Sequence, residues 1–74
     1  MTDSAVDVRD MLCSQALAVV DRAVRATPPG SALDIRCNSN DVVHDLQVWA
    51  ADRGHQVLSA EARAGDTWLR IRRA

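Results

Sequence analysis

Two thiols, two imidazoles and one pair of carboxylates are the side chains in this 74-residue chain whose types and spacing invite chemistry. Cys13 stands out by position, where an alternating segment has ended and a helical one begins. The free amides and positive dipole end of such a helix favour a thiolate, the nucleophilic form of the side chain. Beside Met11 and Leu12 the same residue also reads as a small buried hydrophobe. Cys37 alternates with Leu33 and Ile35, the pattern of a core-facing strand residue. If the first two strands run parallel, Cys37 ends at the rim that carries Cys13, which makes it a candidate second thiol. His44 and His55 are too few and too scattered for a metal site, and there is no Cys-x-x-Cys, so no metal is expected. Asp41 and Asp45, four residues apart, invite an acid–base reading; a solvated helix face is the plainer account, with Asp41 favouring the helix start.

Those residues need elements to hold them. Ala5 to Arg9 alternates apolar and polar, as a half-buried strand does. From Ser14 to Ala26 the residues Leu17, Val20 and Val24 recur at helical spacing, and Ser14 is placed to cap the start. Thr27-Pro28-Pro29-Gly30 ends that helix. Ala32 to Cys37 reads as a second strand, and Asn38-Ser39-Asn40 as turn and cap. Asp41 to Arg53 follows as a second helix with Val42, Leu46, Trp49 and Ala50 on its apolar face, and Gly54 closes it. Gln56 to Arg63 and Thr67 to Arg72 form a hairpin around Ala64-Gly65-Asp66. The order β-α-β-α-β-β predicts an α/β (α+β) two-layer sandwich, a four-stranded mixed sheet with two helices on one face. Trp68, Arg70 and Arg72 then fall on the open face with Asp7, Arg9, Asp34 and Arg36. With one Trp in the Trp68, Arg70, Arg72, Arg73 cluster and acids beside it, the pattern argues against nucleic acid as a partner.

Composition bounds the rest. Hydrophobic residues at 47% and charged residues at 26% fit a soluble domain rather than a disordered tail. Residues 1–74 make one domain, with 1–4 as a loose N-terminal tail. Nine Arg and no Lys face ten acids for a net charge of -1, which removes lysine chemistry and any global field toward nucleic acid or anionic membrane. The N-terminus carries no basic or hydrophobic signal region and no apolar run is long enough to span a membrane. A cytoplasmic protein with reduced thiols is expected.

Asp7-Val8-Arg9-Asp10-Met11-Leu12-Cys13-Ser14-Gln15-Ala16 resembles the opening motif of the TusA/SirA sulfur-carrier family, Asp-x-x-Gly-x-x-Cys-Pro-x-Pro. The likeness continues through Pro29-Gly30, Asp45-Leu46, Trp49-Ala50, Gly54-His55-Gln56-Val57-Leu58 and the closing Trp68-Leu69-Arg70-Ile71-Arg72-Arg73. The resemblance implies that Cys13 carries a persulfide, received from a cysteine desulfurase or rhodanese-like donor and passed to an acceptor protein. Such relays serve tRNA thiolation, molybdenum-cofactor enzymes or sulfur oxidation, and they use no metal or organic cofactor. Ser14 and Gln15 would then offer the first helical amides to the sulfur. Ser14 and Ala16 stand where the family has its prolines, and Asp10 stands at the motif glycine. A carboxylate there would oppose thiolate formation, making Asp10 a candidate modulator of the Cys13 pKa. A non-catalytic interaction module on the same fold is the alternative function.

Overall fold

The computed structural model describes residues 4–74 and contains β1 (Ser4–Asp7), α1 (Cys13–Arg25), β2 (Ala32–Cys37), α2 (Asn40–Asp52), β3 (Gln56–Arg63) and β4 (Asp66–Arg72). The predicted element order holds throughout. Residues 1–3 of the expected tail lie outside the described residues, and Ser4 belongs to β1 instead, paired with Leu33.

The four strands form one mixed sheet in the order β1-β2-β4-β3. β1 runs parallel to β2, and β4 lies antiparallel between β2 and β3. Val8 extends the first pairing past β1, its N–H donating to the Arg36 carbonyl at 2.9 Å. The β3–β4 hairpin turns at Ala64 and Gly65, both with positive φ (50° and 83°), the geometry that matches strand twist. A bulge between Val57 and Ser59 sets Leu58 out of register and leaves it 43% exposed.

One face of the sheet is dry. Leu33, Ile35 and Cys37 of β2 and Leu69 and Ile71 of β4 form a single core with Val8, with Ala16, Val20 and Val24 of α1, and with Val42, Leu46 and Ala50 of α2. The strand alternation and the helical stripes meet as the sequence predicts. Leu17 and Trp49, expected inside, are half-buried at the edge of this core, and the smaller Ala16 and Ala50 take the central positions. Small residues there let the helices lie close to the sheet, so the larger side chains are displaced outward.

The helix ends are built differently from one another. α2 closes with Gly54 at φ 78°, the Gly54 N–H donating to the Ala51 carbonyl (3.2 Å) and the His55 N–H to that of Ala50 (2.8 Å). α1 ends on a buried Thr27, whose hydroxyl donates to the Ala23 carbonyl at 2.8 Å. Arg73 reaches across the chain to donate to the carbonyls of Arg25 and Thr27. Arg73 is thereby taken out of the aromatic–basic cluster to which its sequence position assigned it.

Among the described residues, no helix is long and apolar enough to cross a membrane. None of their His, Cys, Asp and Glu side chains cluster in a way that could hold a metal ion.

Candidate functional site

Parallel pairing of β1 and β2 sets the geometry of the site. Both strands end at the same edge of the sheet, and each is followed by a helix that starts there. Cys13 is the first residue of α1 and Asn40 the first of α2, so the two helices present their free amides along one rim.

The start of α1 departs from the expected capping. The N-cap is Leu12, in extended conformation (φ -69°, ψ 155°), and no side chain caps the helix. Ser14, expected as the cap, is the second helical residue and exposed. Gln15 supplies half of a capping box by accepting the Leu12 N–H at 3.0 Å; leucine carries no acceptor with which to return the bond. Leu12 itself is 71% exposed, a large apolar side chain standing in solvent immediately before the thiol.

Asp10 has φ 62°, in the left-handed region that glycine enters freely and aspartate enters at some cost. Asn38 holds it there. The Asp10 N–H donates to Asn38 Oδ1 (2.9 Å), and Asn38 Nδ2 donates back to Asp10 Oδ1 (2.8 Å). The pair ties the loop before α1 to the end of β2, which fixes where Cys13 stands.

Cys13 is half-buried and packs against the core; Cys37 is fully buried, and both are free thiols. The Cys13 thiol titrates above its ordinary value. The nearby Asp45 carboxylate is the largest cause, followed by partial desolvation and by the charge of Asp41. The backbone of Cys13 itself opposes them more weakly. The carboxylate that suppresses the thiolate is therefore on α2, where the sequence reading placed a solvated helix face. Asp10, the expected modulator, is turned to Asn38. The i,i+4 spacing of Asp41 and Asp45 carried the signal, and the parallel strands supply the missing information that α2 begins beside α1.

Cys37 sits at the end of β2 on the core side, with a weak contact from its thiol to the Ile35 carbonyl at 4.0 Å. Burial pushes its pKa up to about 11, with a smaller contribution from Asp7. Such a thiol is a packing residue at neutral pH.

The opposite face of the sheet is charged but internally matched. Arg36 binds Asp66 (2.6 Å), Arg70 binds Asp34 (3.1 Å) and Arg63 binds Glu61 (2.6 Å). Arg9 forks onto Asp7 and holds that carboxyl down at about 2. The Trp68 ring lies between the Arg36 and Arg63 guanidiniums, 5.5 and 5.9 Å from its centre. A depression of about 140 Å³ beside it is lined by both signs, including Asp34, Glu61, Arg63 and Arg70. Paired arginines of this kind form no basic stripe for a phosphate backbone. His55 lies far from such chemistry in role: its Nδ1 accepts the Ala74 N–H (3.1 Å) and its ring packs on Trp49 at 5.4 Å.

No curated protein matches the chain. The family model described as sulfurtransferase TusA matches residues 4–73, from the first residue of β1 to the arginine that clasps α1. That span includes every element and the whole cysteine rim, and the family implies a sulfur-carrier role: the chain belongs to the TusA sulfurtransferase family.

Proposed function

We propose that this protein is a small cytoplasmic sulfur carrier, a single domain over residues 1–74, that relays a persulfide on Cys13. The donor is a protein persulfide such as that of a cysteine desulfurase or rhodanese-like enzyme, and the acceptor is a second protein. The observation that carries the reading is the placement of Cys13. It is the first residue of α1, partly open to solvent, in a chain whose residues 4–73 match a sulfurtransferase family.

The chemistry is a displacement at sulfur. The Cys13 thiol gives up its proton, and the thiolate attacks the outer sulfur of the donor persulfide. A new S–S bond forms on Cys13 as the donor's S–S bond breaks, and the donor cysteine leaves as a thiolate that takes up a proton. In delivery the acceptor thiolate attacks the outer sulfur on Cys13, and Cys13 is released as the leaving thiolate. Neither step changes the total oxidation state, so no oxidant or metal enters. The core-packed side of Cys13 limits attack to one direction, and α1 holds the sulfur at the rim where a partner can approach.

Loading tests the proposal. Incubation with a cysteine desulfurase and cysteine should add one sulfur atom to the intact mass, and Cys13→Ser should abolish the gain. A full gain in Cys13→Ser would place the sulfur elsewhere. No gain from either desulfurase or low-molecular-weight persulfide would favour a non-catalytic interaction module, the reading that the raised Cys13 pKa otherwise supports.

A further inference from the structure

Between β1 and α1 the chain stays tied to the end of β2. The Val8 N–H donates to the Arg36 carbonyl at 2.9 Å, a rung of the parallel ladder. The next rung would run from Asp10 to the Asn38 carbonyl; instead the Asp10 N–H donates to the Asn38 side-chain oxygen at 2.9 Å. Asn38 Nδ2 donates back to Asp10 Oδ1 at 2.8 Å, so one side chain holds both the backbone and the carboxylate of Asp10. Asp10 is one of two non-glycine residues with positive φ among the described residues, at 62°; the other, Ala64, belongs to the β3–β4 turn. Such a conformation persists only where the surroundings over-determine it, and here the determinant is Asn38. Asp10 stands three residues before Cys13, at most about 11 Å of chain. Among the described residues, its two bonds are the last polar tie to the sheet before the thiol. Leu12 makes no side-chain cap bond, and its N–H goes to Gln15 of α1 itself, a bond that moves with the helix start.

We propose that Asn38 is a positioning residue of sulfur transfer: by holding Asp10 in the left-handed conformation it sets the direction in which the Cys13 sulfur meets a partner's persulfide. The inference rests on the carrier reading. Displacement at sulfur needs the attacking thiolate aligned with the S–S bond that breaks, and a misplacement of about 1 Å can cost about 100-fold in rate. Without Asn38, Asp10 relaxes toward negative φ, the crossing from β1 re-routes, and the first turn of α1 frays for want of a side-chain cap. A small reagent then reaches the half-buried Cys13 from more directions, while a protein persulfide finds it correctly aimed less often. The two rates move in opposite senses, which a plain loss of stability does not produce.

Breaking and then exchanging the pair tests this. Asn38→Ala removes both bonds and leaves the net charge unchanged. Asp10→Asn combined with Asn38→Asp also keeps the charge and restores both bonds, with the side-chain donor and acceptor reversed. Alkylation by iodoacetamide and loading by a cysteine desulfurase with cysteine are followed on each protein by intact mass and peptide mapping. Asn38→Ala should speed alkylation of Cys13 several-fold and slow its loading roughly tenfold or more. The exchanged pair should return both rates toward those of the wild-type protein. Cys37, fully buried, is the internal control and should stay unlabelled. Labelling of Cys37 in Asn38→Ala would mean that the whole domain has loosened and would overturn the positioning role. Unchanged rates in Asn38→Ala, or an exchanged pair no better than Asn38→Ala, would overturn it as well. Failure of the wild-type protein to load would remove the carrier reading, and the alkylation rates would still decide whether Asn38 holds Cys13 in place. Equal loading of wild type and Asn38→Ala would keep the carrier reading and sink this one.

Discussion

Replacing Leu12 with serine should stabilise the protein, even though it removes an apolar side chain. Leu12 has the extended backbone of an N-cap and makes no capping bond, while Gln15 already accepts the Leu12 N–H at 3.0 Å. Serine would supply the missing acceptor and complete the box Ser-x-x-Gln, worth about 1 kcal/mol (range roughly 0.5–2). Against that stands the burial lost by leucine. The side chain is 71% exposed, and full burial of a leucine is worth about 1.5–3 kcal/mol, so the loss is about 0.4–0.9 kcal/mol. Leu12→Ala isolates this second effect, because alanine caps no better than leucine. The serine variant should therefore exceed the alanine variant by about 1 kcal/mol, a difference of roughly 4–8 °C in Tm for a domain of this size. Thermal unfolding followed by circular dichroism measures it. Equal Tm values for the two variants would refute the reasoning and mean that the helix does not begin at Cys13.

Leu46, fully buried between the layers, should cost about 2–5 kcal/mol when truncated to alanine, read from urea unfolding. Asp45→Asn should lower the pKa of Cys13 in an iodoacetamide rate titration, whereas Asp10→Gly should move it little, because Asp10 faces Asn38. The near-neutral alkylation rate should rise in Asp45→Asn, since thiolate fraction grows faster than nucleophilicity falls (Brønsted slope about 0.4–0.5). Cys37 should resist labelling long after Cys13 is modified, and more rapid modification of Cys37 would reverse the assignment of exposed and core thiols. Its folded pKa of about 11 lies above the ordinary 9.0, so the neutral thiol favours the fold: that contribution is complete below pH about 9 and is lost as pH rises through about 11. With no Lys or Tyr in the chain, the thiols dominate this window, and Cys37→Ala should flatten the alkaline fall in a pH series of denaturant midpoints.

Periodicity made the layers legible in the sequence. Alternation in Leu33, Ile35 and Cys37 and the helical stripe through Val20 and Val24 each mark a single buried face, and burial then leaves few ways to assemble them. The site was half legible. Cys13 could be found from its place between a strand and a helix, but its electrostatic neighbour could not, because Asp45 acts through tertiary placement 32 residues along the chain. The Ser14 cap was misplaced by local propensity: serine is a favoured N-cap, yet with Asp10 tethered to Asn38 the cap falls two residues earlier, on leucine. The clasp of Arg73 on the end of α1 carries no local sequence signal, since it depends on β4 lying at the centre of the sheet.

Loading and release in one experiment test the account most directly. The protein is charged by a persulfide donor, separated from it, and examined by intact mass and peptide mapping before and after a thiol acceptor is added. The account predicts one added sulfur on the Cys13 peptide, stable after the donor is removed and lost to the acceptor, with Cys37 unmodified throughout. Sulfur that never appears on Cys13, or that appears there and cannot be passed to a thiol, would contradict it.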